Sequence, residues 1–343
     1  MVQRTDRDNR SINRRSYLSA IAGVAAAPVV GSAVGAADVD DESQLEAEIE
    51  SGGTVNLDSD TIYEIDDTIR VTGLDDLTLD GNGATVKIGP TTGYVFKLGI
   101  SSNPINNLTV KNFNIDLSTD GAGGRIFECH AADNLEVSDI TVEGEHDTAG
   151  KGPMLVGLHT SDGSGTVSNV DLPDGGEDSS SGYGGTGMFV SHYHTGEVTI
   201  RDCHIGPFPD NGLYCSNASG DVHVEGGHFE NCNVAGVRLD GDNCSLKGAT
   251  FEYDEDIPGF DGQRPVRCDG GDIEISDIHV DMSINQTEAI RVMSGAESVS
   301  IKDCSMDLHG EVRDAVSVTT GAGSVTTSGN DFDGYERQPV YHY

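Results

Sequence analysis

Apolar and polar residues alternate in short runs along most of the chain, and the runs recur with a period of about 24 residues. The first part of each repeat is a stretch such as LTVKNFNI (Leu108 to Ile115), VTIRDCHI (Val198 to Ile205), VHVEGGHF (Val222 to Phe229), IEISDIHV (Ile273 to Val280) or VSIKDCSM (Val299 to Met306), broken by a small or acidic turn. The second part is a shorter strand: GMFVS from Gly187, GLYCS from Gly212, GVRLD from Gly236, PVRCD from Pro265, AIRVM from Ala289 and AVSVT from Ala315. Strict alternation sends one set of side chains inward and the other to the surface. With Tyr214, Arg238, Arg267, Arg291 and Ser317 taken as equivalent, the spacings are 24, 29, 24 and 26 residues. A near-constant period with variable excess is what stacked coils with loops extruded at one corner produce.

Two to three short strands per repeat, no helical stripe inside it and glycine at the corners predict an all-β, right-handed parallel β-helix. A leucine-rich horseshoe needs a leucine and asparagine pattern that is missing, and a propeller needs about 40 residues per blade. One short helix is expected over 41–50, with Leu45 and Ile49 on one face and glutamates on the other. Set just before the first coil, it is placed to cover the open end of the core, which a solenoid must cap.

The ends and the charge change the picture. Residues 1–37 carry Arg4, Arg7, Arg10, Arg14 and Arg15, an Ala- and Val-rich stretch from Tyr17 to Val30, then small residues ending in Ala36-Ala37. This is the three-part layout of an export signal, and NRRSYL (Asn13 to Leu18) resembles the twin-arginine class that delivers folded proteins. The apolar run is short and broken by Gly23 and Pro28, so it is not expected to span a membrane. Residues 38–343 are expected to form one β-helix domain. The 58 acidic residues outweigh 20 basic ones, a net charge of −38. Such a surface repels itself except where salt screens it. It resembles the exported proteins of extremely salt-loving archaea, and it offers no basic groove for nucleic acid. The exposed edges of a solenoid leave room for a dimer or trimer.

The opening, a helix followed by GGTV (Gly52 to Val55), DTIYEI (Asp60 to Ile65), a strand at Thr68 to Val71 and LTLDGNGATV (Leu77 to Val86), resembles the N-terminal coils of the pectin lyase-like superfamily. The resemblance covers most of residues 41–335, as architecture and coil motif. It implies an exported protein acting on or binding carbohydrate, because the superfamily includes polysaccharide lyases, glycoside hydrolases, uronate epimerases, tailspikes and non-catalytic adhesins. The polygalacturonase-like hydrolases carry an asparagine-threonine-aspartate turn, an aspartate pair and a glycine-histidine-glycine turn. The matching places here read Ser191 to His194, Asp210-Asn211 and Ala235-Gly236, so only one acid of the pair survives. The arginine-proline run of calcium-dependent pectate lyases and the aspartate-proline-histidine of alginate epimerases are also missing.

Stacking gives each surface position a column of neighbours about 4.8 Å apart. In the second-part strand, Phe127, Leu155, Phe189 and Tyr214 are expected to face outward in the first coils, and Arg238, Arg267 and Arg291 in the next three. Ser191, Ser216, Asp240, Asp269 and Met293 stand two residues further on. A face aromatic at one end and ionic at the other suits a sugar chain, rings stacking on apolar planes and arginines pairing with carboxylates. Asp240 and Asp269 could equally neutralise the arginines as a plain surface ladder. For β-elimination from a uronate polymer, Arg238 or Arg267 would clamp the carboxylate or act as base and Tyr214 would donate to the leaving oxygen. The resemblance implies that calcium recruited through aspartates could take the clamping part, with Asp210, Asp240 and Asp269 offering the oxygen ligands. Hydrolysis would draw its carboxylates from the same three aspartates. Arg291, Phe189, His192 and His194 complete the expected substrate-binding face. The leading expectation is a lyase on acidic polysaccharide, with a glycosidase or a non-catalytic glycan-binding or structural surface protein as the other readings.

His204, His228 and His279 share an outward position in the first-part strand, and His204 and His228 are near enough to share a transition metal if a third ligand joins them. The long insertions Asp171 to Gly185 and Glu252 to Gln263 both enter the second-part strand and could wall the same groove. Of the seven cysteines, Cys203 and Cys304 fall at one inward position four coils apart, and Cys215 and Cys268 are separated by Leu239, so they are read as core filling.

Overall fold

The computed structural model describes residues 39–40, 42–91, 93–147, 151–177, 185–284, 288–309, 314–333 and 340–342. The expected export leader lies outside them. The chain winds into a right-handed parallel β-helix of about ten coils, each strand pairing in parallel with its equivalent in the next coil. Every coil contributes to three sheets, named here in chain order.

The first sheet takes the alternating half of each repeat. Its inward column runs Leu77, Leu108, Leu135, Gly165, Val198, Val222, Cys244, Ile273 and Val299, one residue per coil. The sheet ends at one repeated backbone device. Asn112, Asp139, Asn169, Asp202, Gly226, Gly248, Asp277, Asp303 and Gly329 all adopt left-handed φ values, from 53° to 71°. Only glycine, or a short Asn or Asp side chain with a local hydrogen-bond partner, enters this region at low cost. The small or acidic turn of the repeat is therefore a conformational requirement. Asn112 Nδ2 donates to Asp80 Oδ1 of the previous coil (2.8 Å) and Asn169 Nδ2 to Asp139 Oδ1 (2.9 Å), so the corner is also laced from coil to coil.

Past this corner the second sheet stacks Ile205, Phe229, Phe251, Val280 and Met306 inside, with Phe229 and Phe251 parallel at 5.3 Å. The third sheet follows a second corner and buries Leu213, Val237, Val266, Ile290 and Val316. The predicted cap is the helix α1 (Glu42–Ser51), with Leu45 and Ile49 buried. It packs on Gly53–Asn56, Ile62–Ile65 and Ile69–Val71, and the Glu42 carboxylate accepts the Asp67 amide proton (3.0 Å).

One residue of the expected outward column is out of phase. Phe127 points inward, fully buried, stacked on Phe96 at 5.1 Å and edge-on to Phe113 at 5.3 Å. Glu128 takes the outward place, opposite Lys97 and Leu155. Ile126 and Phe127 are consecutive buried residues where the chain enters the strand, so the apolar pattern there fits two phases; Cys129, buried two residues on, sets the one adopted.

All seven cysteines are buried and unpaired. Cys215, Leu239 and Cys268 form one column, the leucine standing between the sulfurs. Burial pushes the Cys203, Cys232 and Cys244 thiols up to about 12, which suppresses the reactive thiolate.

Two outcomes follow from this packing. Phe127→Ala should lower stability by about 3–5 kcal/mol in chemical denaturation, as for a fully buried ring, where an outward phenylalanine would lose under about 1 kcal/mol. The folded protein should react with no more than a trace of a thiol reagent at neutral pH, and all seven thiols should titrate after unfolding without reductant.

Candidate functional site

The outward column of the third sheet runs Lys97, Glu128, Leu155, Phe189, Tyr214, Arg238, Arg267, Arg291, Ser317 and Tyr341. Phe189 meets Tyr214 edge-on at 5.3 Å, and the Arg238 guanidinium lies 4.2 Å above the Tyr214 ring. The Tyr214 hydroxyl donates to Asp240 Oδ2 at 3.4 Å. Arg238 donates from Nε and Nη2 to Asp269 Oδ2 (2.9 and 2.5 Å), while Arg267 Nε donates to the other oxygen, Oδ1 (2.5 Å). This bridge depends on a register shift: Leu239 pairs with Cys268 but Asp240 pairs with Gly270, so Asp269 is an extra residue whose carboxylate sits between two arginines. One coil further, Glu288 Oε1 holds Arg264 Nε (3.0 Å) and Arg291 Nε (2.9 Å).

The layering of these charges matters for what the face can do. The side chains of Arg238, Arg267 and Arg291 are 20, 22 and 28% exposed, against 11% for Asp269 and 2% for Glu288. Carboxylates lie beneath and guanidiniums above, so a ligand meets cations first. Each acid serves two arginines, which removes the like-charge cost of stacking them and holds the forks in place.

Asp210 does not join this group. It lies at the corner before Asn211 and accepts a hydrogen bond from Thr186 Oγ1 (2.8 Å). Its level in the coil is that of Val234, six residues before Asp240, so the two carboxylates are roughly 20 Å apart along the strand direction. Glycosidase carboxylates stand about 5–10 Å apart. Asp210 therefore does not form a hydrolytic pair with Asp240, and the three aspartates do not gather as one calcium site.

His194 is fully buried; its Nδ1 accepts the Leu158 amide proton (3.1 Å), its Nε2 donates to the Asp221 carbonyl (3.2 Å), and burial lowers its pKa. It fastens a turn between coils and presents nothing to a ligand. His192 is exposed on the rim of the face, against the ring of Tyr193 (3.9 Å between centroids). The insertions are shorter than expected: Asp171 and Leu172 end a strand, Thr250–Tyr253 forms another, and residues 178–184 lie outside the described residues. Gln263, almost fully buried, pins the second loop by donating to the carbonyls of Asn231 and Glu255.

A polar cluster at the other end of the face escaped the sequence reading. Lys97 Nζ bonds Glu128 Oε1 (2.6 Å) and lies 3.7 Å above the Tyr94 ring centre; His130 Nε2 is 3.6 Å from the same Glu128 oxygen, and His130 Nδ1 is 2.7 Å from His159 Nε2. Burial and the neighbouring His130 lower His159 to about 4, so it is neutral, donating from Nδ1 to the Tyr193 carbonyl and accepting from His130. Gly157 makes room: a Cβ there would lie 3.2 Å from His159 Nε2 and 3.0 Å from Ser191. The available signal was lysine scarcity, which makes a lysine in register with a glutamate conspicuous.

On the second sheet His204 and His228 are in register, and Glu230 Oε1 lies 3.2 Å from His204 Nε2 and 2.7 Å from His228 Nε2. Asp171 Oδ1 accepts from His204 Nδ1 (2.9 Å). The bonds to Asp171 and Glu230 outweigh desolvation and raise His204 to about 9, and the two histidines hold Glu230 at about 2. His279 shares the column but bonds Ser305 (2.8 Å). The arginine ladder borders neither of two marked depressions among the described residues. One, of about 660 Å³, lies on the first sheet beside Asn107, Asn134, Thr166 and Arg201. The other, about 420 Å³, adjoins Asp171 and His204.

Comparison with solved structures places the fold among extended β-helix proteins. The chain is similar to the surface protein and adhesin PfbA of Streptococcus pneumoniae, with a TM-score of 0.64, 14% identity, and 87% of this chain and 93% of that one covered. A second PfbA structure gives a TM-score of 0.52 at 14% identity, covering 87% of each chain. It is also similar to a tailspike protein of E. coli bacteriophage HK620 in complex with a hexasaccharide, with a TM-score of 0.56, 13% identity, and 88% of this chain but 59% of that one covered. At such identities the likeness is one of fold. No protein-family model and no curated protein sequence matches the chain. Among the described residues no helix is long and apolar enough to cross a membrane.

Glu128 gives this face a measurable pH dependence. Burial alone would raise its carboxyl, but the bonds to His130 and Lys97 prevail and hold it at about 2, below its ordinary 4.5. A depressed carboxylate stabilises the fold above the unfolded pKa and loses that contribution as pH falls through the folded one. Glu128→Gln should therefore cost about 3 kcal/mol at neutral pH, and the gap from the native protein should close between pH 4.5 and about 2 in denaturant titrations.

Proposed function

We propose that this is an exported β-helix protein that binds an anionic, uronate-containing polysaccharide along its third sheet, the sugars crossing successive coils from Phe189 to Arg291. The observation that carries the reading is the layering of the ladder, with guanidiniums outermost over shared, buried carboxylates. A protein of net charge −38 has placed three of its few arginines in one register column. The Arg238 and Arg267 forks are each held at Nε by Asp269, and their outer edges are the natural partners of sugar carboxylates. Phe189 and Tyr214 continue the track as planes on which sugar rings stack. The adhesin and the tailspike with its hexasaccharide support a glycan at the cell surface as the ligand of such a scaffold. The leader-like first 37 residues support export, and the acidic surface supports a salty setting.

Binding is favoured over cleavage because the ladder is flat and every guanidinium is tied to a carboxylate. Elimination is the second reading, on one observation: Tyr214 lies against Asp240 and beneath Arg238, a phenol between an acceptor and a cation. Hydrolysis by the aspartates would have to proceed without Asp210, which stands roughly 20 Å from Asp240 along the strand direction.

Calorimetric titration with oligogalacturonate and oligomannuronate tests the proposal, with unsaturated uronate ends followed by ultraviolet absorbance in parallel. Arg238→Ala and Arg267→Ala should each weaken binding about 10-fold or more, the worth of a charge-assisted pair. Binding should be tighter in molar salt than at low salt, because a Debye length of about 3 Å removes the long-range repulsion of the acidic surface and leaves the contacts. Unsaturated ends that vanish in Tyr214→Phe would move the assignment to the lyase, and failure to bind any uronate oligomer would remove the proposal.

A further inference from the structure

The second sheet carries a group that glycan binding on the third sheet does not use. We propose that His204, His228 and Glu230 bind one borderline divalent transition ion, Zn2+ or a chemical equivalent, with Asp171 as the residue that orients His204. Three features of the geometry point there. Both imidazoles turn Nε2 toward the same Glu230 oxygen, and the three ligand atoms lie within 4.8 Å of one another. The separations of 3.2 and 2.7 Å are close to the edge of about 3.4 Å that four ligands around Zn2+ at 2.0–2.1 Å require, so with small side-chain rotations the ion takes the place of the Nε2 protons, which leave to solvent. His204 also has the companion that metal-bound histidines keep, a carboxylate on its other ring nitrogen.

The backbone supplies this arrangement. Coil stacking sets the rings 5.3 Å apart between centroids, and Glu230 stands two residues beyond His228 on the same face, within reach of both coils. Glu252, in register with Glu230, has an oxygen 3.7 Å from His228 Nε2 and can join as a fourth ligand. The side chains of His204, His228 and Glu230 are each about one-third exposed, which leaves the remaining positions open to water or a small ligand. Two imidazoles with one carboxylate select Zn2+, Co2+, Ni2+ or Cu2+ over Ca2+ and Mg2+, which prefer all-oxygen sites. That selectivity sets the group apart from the many acidic clusters of the surface.

The test uses untagged, chelator-treated protein in excess Ca2+, which saturates carboxylate-only sites. Co2+ should bind at one equivalent with the visible bands of a nitrogen-ligated ion, and Zn2+ should displace it. His204→Ala, His228→Gln and Glu230→Gln should each weaken binding about 100-fold, and Asp171→Asn about 10-fold. His279→Ala, in the same column but outside the group, should bind as the native protein does. Circular dichroism in chelator verifies that each variant is folded, as expected for side chains one-third exposed. Absence of saturable Co2+ binding, an all-oxygen spectrum, or full-strength binding in the folded His228 and Glu230 variants would overturn the assignment.

Discussion

Parallel coil-on-coil register is the constraint on which everything else in this protein depends. When each residue lies about 4.8 Å above its equivalent, a choice made in one coil is imposed on its neighbours. Inside, this produces continuous columns of aliphatic, aromatic and thiol side chains, capped at one end by α1. Outside, it makes rows of like residues that must be reconciled with their own repetition. A row of arginines is unstable by itself, and the protein answers with one carboxylate for each pair.

That answer required a departure from regularity. In an unbroken register Asp269 would stack on Asp240, carboxylate over carboxylate. The shift between Leu239 and Asp240 pairs Asp240 with Gly270 instead, releasing Asp269 to bridge Arg238 and Arg267. Glycine at 270 is part of the device, since a Cβ there would lie 2.7 Å from Asp240 Oδ1. The irregularity at Asp269 thus places one carboxylate between two arginines.

The fold was legible because its signals are periodic: alternation marks the strands, and the left-handed corner writes Asn, Asp or Gly once per coil. The site was legible only where it follows the same period. Tyr214, Arg238, Arg267 and Arg291 stand in the column expected, as do His204 and His228. Phe127 was misplaced because two adjacent apolar residues at a corner fit either phase. Asp210 was grouped with Asp240 by sequence pattern, although a corner and most of a strand separate them. The Lys97–Glu128–His130–His159 cluster was not legible, because it joins three coils and a turn residue through space opened by Gly157. Glu230 as a shared partner of two histidines depends on side-chain reach across coils, which periodicity does not encode.

The claim at the centre is that the outermost guanidiniums of the third sheet meet the ligand. A crystal structure of the protein with a bound uronate hexasaccharide in molar salt tests it most directly. The account predicts sugar carboxylates on Arg238 and Arg267 with a ring over Phe189 or Tyr214; an oligosaccharide lying instead in the first-sheet depression beside Asn107 and Arg201 would contradict it.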